Sequence, residues 1–311
     1  MNGSTLTWKR TPAGAVVPVG PGLYFAPVDG SSLETRAAAL SRLLPPDVVI
    51  ARRTAAWIWG LDVLPPGADA ADWEIDLVTA AGENAPDPPS AECAALPSGH
   101  IVEEGGVRLT SRHRTALDCA RWLPRTEAVA SLDQFLRDGI ALEDLRRMAR
   151  ALPGYRGSTR LNEIMRLSDP GAASPGETWV RVAIIRAGFP RPATQVPVEG
   201  LYGGDFYLDL GYPEHRVGLE YDGERHHTGP RARARDGARR RWITRELGWD
   251  LISVTKDFRT TPAPYLEALL TALLHRGWTP DPPTLDRITA NLTLLTRRPH
   301  GRGGRRGVWG R

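Results

Sequence analysis

Cysteine is almost absent from this 311-residue sequence: Cys93 and Cys119 are the only two, far apart and outside any CxxC or Cys/His spacing. That excludes a disulfide framework or a cysteine-built zinc site and leaves both as reduced packing residues. Lysine is as scarce, with only Lys9 and Lys256. Nearly all positive charge is therefore arginine, which together with abundant Ala, Gly and Pro follows a GC-rich coding bias and says little about function. No apolar run approaches the ~20 residues needed to span a bilayer, so no membrane partner is expected. The opening MNGSTLTWKRTPAGAVVPVG offers no apolar core of ~7–15 residues behind a basic start, so a secretory signal is not expected and the cytoplasm is the expected compartment.

What remains is the composition of a soluble globular protein, 41% hydrophobic and 24% charged. Domains commonly run ~100–200 residues, so two globular units are expected. A formal charge of +4 and a pI near 9.3 permit a polyanionic partner without requiring one.

Along the first half, Gly20-Pro-Gly-Leu-Tyr-Phe25 reads as a turn entering a strand, and Leu33–Leu44 has helical spacing before the Pro45-Pro46 break. Trp73–Thr79 alternates like a strand, 81–98 reads as a loop, and 106–110 is a further strand candidate. Three helical stretches follow, over 116–123, 126–138 and 142–151. The turn-rich 169–176 is the best boundary, with Ser174 as N-cap of a new helix. Downstream the patterns give helix 177–187, strands 194–199, 205–210 and 216–221, helix 235–247, strand 250–255 and helix 265–275, an αβββαβα order. The expected division is 1–170, 171–279 and a basic, disordered tail over 280–311 ending in the Arg/Gly run RRPHGRGGRRGVWGR.

Acids carry the chemistry of the second half. Glu177 falls on the same helical stripe as Val180, Ile184 and Ala187, where an acid needs a reason. Period two puts Asp205, Tyr207 and Asp209 on one face of their strand and Phe206, Leu208 and Leu210 on the other. In the next strand Glu220 and Asp222 share a side opposite Val217, Leu219 and Tyr221. Carboxylates held together repel one another and raise each other's pKa unless a cation neutralises them. Mg²⁺ suits such a set: it prefers oxygen, keeps several waters and takes one or two carboxylates plus substrate phosphates.

The run Asp209…Glu220-Tyr-Asp-Gly-Glu-Arg-His-His227, with Asp236-Gly-Ala-Arg239 and Glu246-Leu-Gly-Trp-Asp-Leu-Ile-Ser-Val-Thr255, resembles the domain related to very-short-patch-repair (Vsr) endonucleases, within the PD-(D/E)xK superfamily. The likeness covers about a hundred residues. It implies an α/β restriction-endonuclease-like αβββαβ domain acting on DNA with Mg²⁺ or Mn²⁺. It makes Asp209 the metal-binding aspartate, Glu177 the helix-borne acid, Tyr221 the residue whose carbonyl reaches the metal, and His227 the assisting histidine. Glu220 and Asp222 complete the catalytic set, and Arg235, Arg239, Arg240 and Lys256 are the candidate DNA contacts. Asp222 stands where the superfamily motif usually carries Lys. It is then either a further ligand, with His226, His227, Arg239 or Lys256 supplying positive charge, or the mark of a scaffold that binds DNA without cutting it.

The first half resembles AbiEi-type antitoxin-like regulators through Pro21-Gly-Leu-Tyr24, Arg53-Thr-Ala-Ala-Trp-Ile-Trp-Gly60 and Thr110-Ser-Arg-His-Arg-Thr-Ala-Leu-Asp118. That implies a truncated winged-helix α+β region, mostly helical, and a toxin or other protein as a further partner. Arg112, His113 and Arg114 are candidate phosphate contacts there, while Thr115 and Asp118 read as structural residues at a helix start.

Plainer readings stand beside these. Glu177 is also an ordinary first-turn glutamate favoured by the helix dipole. The strand acids also suit a solvated sheet face ending in an Asp-Gly turn, and the arginines of 231–241 a solvated helix.

Overall fold

The computed structural model describes residues 17–20, 23–25, 37–38, 41–42, 48–65, 68, 75–79, 96–201, 203–223 and 230–297. The chain divides into two compact units, Met1–Ser168 and Asp169–Arg311. Both mix helices with sheet. Among the described residues no helix is long and apolar enough to cross a membrane.

In the first unit β1 (Val17–Gly20) and β2 (Leu23–Phe25) form an antiparallel hairpin. A separate four-stranded sheet is built from β3 (Val48–Ile50), β4 (Leu77–Thr79), β5 (Ile101–Glu104) and β6 (Val107–Thr110), in the order β4-β3-β6-β5. Gly105 (φ 56°) and Gly106 (φ 76°) close the β5–β6 hairpin, since a two-residue turn of this hand needs positive φ at both positions. Short strands and longer helices together make this half α+β, with helix the larger share among the described residues.

Its helices include α1 (Arg52–Ile58), α2 (Arg112–Trp122), α3 (Arg125–Arg137), α4 (Leu142–Ala151) and α5 (Thr159–Leu167). Leu117, Leu132, Phe135, Leu145 and Ile164 are buried among them. Thr115 anchors the start of α2, its hydroxyl donating to Thr110 O and Ser111 O (both 2.9 Å). Arg114 and Asp118 are both buried and paired (2.9 Å), and the Tyr155 hydroxyl donates to the same carboxylate. Arg114 is thus a core residue, and the phosphate contact considered for it has no accessible guanidinium behind it. Burial pushes the Cys119 thiol up to about 12, so it packs as an inert hydrophobe; Cys93 lies outside the described residues.

The second unit opens with α6 (Pro175–Ala187). Ser174 caps its N-terminus, its hydroxyl accepting from Glu177 N (3.3 Å), Pro175 presets the first turn, and Gly188 (φ 103°) ends it in the left-handed conformation that a side chain would resist. Strands β7 (Ala193–Glu199), β8 (Asp205–Tyr212), β9 (Val217–Asp222) and β10 (Asp250–Thr255) form one sheet in the order β10-β9-β8-β7. The pairs β7/β8 and β8/β9 are antiparallel, while β9 and β10 run parallel. A parallel pair needs a crossover, and α7 (Pro230–Arg241), prolonged by the π-turn Trp242–Glu246, supplies it.

Two apolar clusters hold this sheet. One joins Val180, Ile184 and Ala187 of α6 to Leu210, Val217, Leu219 and Val254, together with α8 (Ala263–His275). The other joins Val196, Val198 and Leu208 to Ile243 and Trp249.

The expected disordered tail is corrected over its first part. Pro282–Arg297 is a helix, α9, whose Ile288 and Leu292 are buried in the first cluster. Asn291 Nδ2 donates to Ala187 O (3.0 Å), so α9 also satisfies a carbonyl at the end of α6. The sequence hides this because Ile288, Leu292 and Leu295 form a narrow stripe among threonines, polar enough to read as solvated. Residues 298–311 lie outside the described residues.

Candidate functional site

The expected strand alternation breaks at one place, and that place is Asp209. Leu208 and Leu210 are two residues apart, yet they pack into different clusters. A Cβ on Gly218 would lie 2.7 Å from Leu208 Cδ1, so Leu208 shares a side with Gly218, while Leu210 shares one with Leu219. This corrects the reading that put Phe206, Leu208 and Leu210 on one face. The physical cause spans both strands. The β7–β8 register runs unshifted from Glu199–Asp205 to Ala193–Gly211 but omits Gln195–Asp209, and Gln195 has a left-handed φ of 47°.

Past Leu210–Leu219 the β8–β9 ladder also gives way, and the Tyr221 N–H donates to Asp209 Oδ2 (2.8 Å). The aspartate side chain thereby substitutes for a ladder acceptor. Extending the register by one residue sets Asp209 across from Glu220, and the two carboxylates sense each other electrostatically.

Glu220 is 8% exposed. Burial, above all, lifts its carboxyl above the usual carboxylate range, and the Asp209 charge adds to the rise; Arg239 and Arg240 pull it back. Arg239 is its direct partner (Nη1–Oε1, 2.5 Å) and also donates to Tyr207 O (2.9 Å) across the Phe206 ring. Arg240 reaches Asp222 (3.6 Å) and donates to Ser253 Oγ. Two of the four basic residues expected to touch DNA are thus turned onto the acids. Arg235 stays exposed, as do Arg241, which belongs to the basic run that also suits phosphate contacts, and Arg245, which the sequence reading did not single out. Their signal was the uninterrupted basic run, which gives no phase for a helix continued by a π-turn. Lys256 is also exposed and follows β10.

Glu177 is 2% exposed, and its place on the apolar stripe has a local explanation. Ala173 N donates to its Oε2 (2.8 Å), the Ser174 hydroxyl to its Oε1 (2.9 Å) and Gln195 Nε2 to its Oε2 (3.2 Å). This is a capping-box arrangement, readable in Ser174-Pro-Gly-Glu177. Gln195 is the functional-looking residue that sequence reading missed: its amide holds Glu177 while its strained backbone faces Asp209 across the ladder. A glutamine in a strand carries no signal that could have marked it. Gly176 lets α6 approach the sheet closely; a Cβ there would lie 2.0 Å from Tyr221 Cε1. His226 and His227 lie outside the described residues.

Among the described residues no group of three or more His, Cys, Asp or Glu could hold a metal ion. The donors brought together are therefore the pair Asp209 and Glu220. That pair fits a Mg²⁺ that keeps most of its water and borrows phosphate oxygens, and does not fit a closed, fully protein-ligated site.

No family model matches the sequence, and no solved structure matches it. Uncharacterized proteins of Mycobacterium tuberculosis, one from strain CDC 1551 and one from strain H37Rv, are 33% identical over 146 residues. The match takes in 46% of this chain and 53% of each relative, so the chain spans about half the length of the curated relatives it matches.

Proposed function

We propose that the second unit is a restriction-endonuclease-like domain that cleaves or nicks DNA with a divalent metal, Mg²⁺ or Mn²⁺, held by Asp209 and Glu220. The observation that carries this is the break in β8: it turns Asp209 toward Tyr221 N and beside Glu220, a buried carboxyl partnered by Arg239. The α6-β7-β8-β9-α7-β10 order supports the same reading. A metal bound there supplies Lewis-acid polarisation of the phosphate and a more acidic water.

The chain's own residues do the rest. The Tyr221 N–H fixes the rotamer of Asp209, and Gln195 ties the neighbouring strand to Glu177. Arg239 supplies, from α7, the positive charge that the superfamily motif draws from the Lys replaced here by Asp222. Arg235, Arg241 and Arg245 offer exposed guanidiniums to flanking phosphates.

A second reading has its own observation. Asp222 is paired with Arg240 and Glu177 is spent on its own helix, which suits a DNA-binding, antitoxin-like regulator that keeps the scaffold without cutting. One experiment separates them. Plasmid incubated with the full chain and Mg²⁺ or Mn²⁺ is nicked on the first reading, and Asp209→Ala abolishes nicking while leaving the melting profile in place. Unchanged nicking by Asp209→Ala removes the assignment. Metal-independent retardation of DNA without any nicking selects the second reading.

A further inference from the structure

The first unit carries a cation cluster that the nuclease-like site does not use. Trp122 ends α2, and two guanidiniums stack on its indole: Arg121 at 5.0 Å and Arg52 at 5.3 Å from the ring centroid. Arg125 and Arg160 stand at the same end of the helix. Arg160 donates to the carbonyls of Arg121 (2.9 Å) and Leu123 and so caps α2, while Arg125 is paired with Glu163. Among the described residues neither Arg52 nor Arg121 has a carboxylate at ion-pair distance, and Arg121 Nε is buried without a hydrogen-bond partner. Burial, and then repulsion from Arg125 and Arg121, lowers the Arg160 pKa, with Glu163 opposing the fall.

Arg52 lies in the field of the half-buried Asp76 and the buried Asp118 without reaching ion-pair distance of either. One arginine over a tryptophan is ordinary, but a second brought against the first's repulsion is not. The second is Arg52, held at a left-handed φ of 50° that an arginine adopts only at a cost. Arg121 Nη1 donates to Ser158 Oγ (3.2 Å), and a guanidinium held over a ring keeps its remaining N–H groups for charge-assisted oxyanion recognition.

We infer that the Arg52–Arg121–Trp122 cluster of the first unit is a second nucleic-acid contact, one that grips the phosphate backbone and does not read bases. The indole, already covered by arginines, orients cations and offers no stacking platform to a base. Two adjacent guanidiniums match successive phosphates of one strand, and the basic pI favours a polyanion over a lone phosphate.

The test uses the full chain and a short fluorescent duplex of mixed sequence, in EDTA so that no cutting intrudes, across a KCl series. Arg52→Gly removes the cation and relieves the backbone, so it should melt no lower than wild type. Binding should nonetheless weaken on the order of tenfold, about the worth of one charge-assisted contact. The log–log salt dependence should flatten by about one unit per lost phosphate contact, so that combining it with Arg121→Gln flattens it by about two. Arg121→Lys, which keeps the charge, should keep the slope. Wild-type affinity and slope in a folded Arg52→Gly protein overturn the inference. So does displacement of the duplex by inorganic phosphate at constant ionic strength that is lost in Arg52→Gly, since the site would then serve a small phosphate ligand. Because this readout needs neither metal nor cleavage, its failure is distinct from failure of the nuclease assignment.

Discussion

Arg239→Ala isolates the electrostatics on which the candidate site depends. The substitution removes the cation facing Glu220, the hydrogen bond to Tyr207 O and the cover on Phe206. The ion pair is intermediate in burial, its side chains 22% and 10% exposed for Arg239 and Glu220. Exposed pairs contribute ~0–1 kcal/mol, whereas removing one partner of a buried pair costs ~3–5 kcal/mol. A loss of about 3 kcal/mol at neutral pH follows, or roughly 9 °C for a unit of this size.

The pH dependence gives the stricter check. Glu220 is held above its unfolded pKa, so the stability it contributes is present below the ordinary carboxylate range and is lost as pH rises through the raised value. Without Arg239 the carboxyl rises further and the window widens. The variant should therefore lose more stability near pH ~8 than near pH ~5, where Glu220 can take up a proton instead of remaining an unpaired charge. Glu220→Gln in the same background should recover most of the loss. Calorimetric melts of wild type, the single variants and the double variant at both pH values test this, with the first unit's transition as an internal control. A loss equal at both pH values, and a double variant no better than Arg239→Ala, would refute the reasoning.

Three further substitutions probe other parts of the molecule. Gly176→Ala drives a Cβ into the Tyr221 ring and should cost about 3 kcal/mol or more in urea unfolding; because Tyr221 N holds Asp209, any nicking should fall with it. Ile288→Ala should lower the second unit's melting by the ~2–5 kcal/mol of a core truncation, and no change would mean that α9 does not pack. Asp118→Asn leaves the buried Arg114 without its anion and should cost ~3–5 kcal/mol in the first unit alone, whereas Tyr155→Phe should cost only about 1–2 kcal/mol.

The order of elements in the second unit was legible because each is long and periodic and is bounded by turn residues: Ser174 and Gly188 frame α6, and Gly248 precedes β10. Sequence periodicity is blind, however, to a residue that interrupts its own period. Asp209 and Gln195 break two strands at the same rung, so a face assignment counted through Asp209 came out wrong for Leu210. Glu177 shows a second limit of periodicity. Its apolar stripe invited a metal, yet its oxygens are satisfied by the turn that begins its own helix, information already present in the Ser174…Glu177 spacing.

The arginines of α7 show why charge is harder to read than fold. A run such as Arg239-Arg240-Arg241 looks uniform in sequence, but helical phase sends its members to different tasks: Arg239 to Glu220, Arg240 to Asp222 and Arg241 to solvent. The first two are held by acids, and only residues like the third can meet an anion without first releasing one. If the unit cuts DNA, approach of a phosphate must compete with Glu220 for Arg239, and a divalent ion must replace the cation it gives up. Metal and DNA should therefore bind more tightly together than apart, with a coupling of about 1–3 kcal/mol that vanishes in Glu220→Gln. Equal Mn²⁺ affinity with and without DNA would instead mean that the arginines have closed the site.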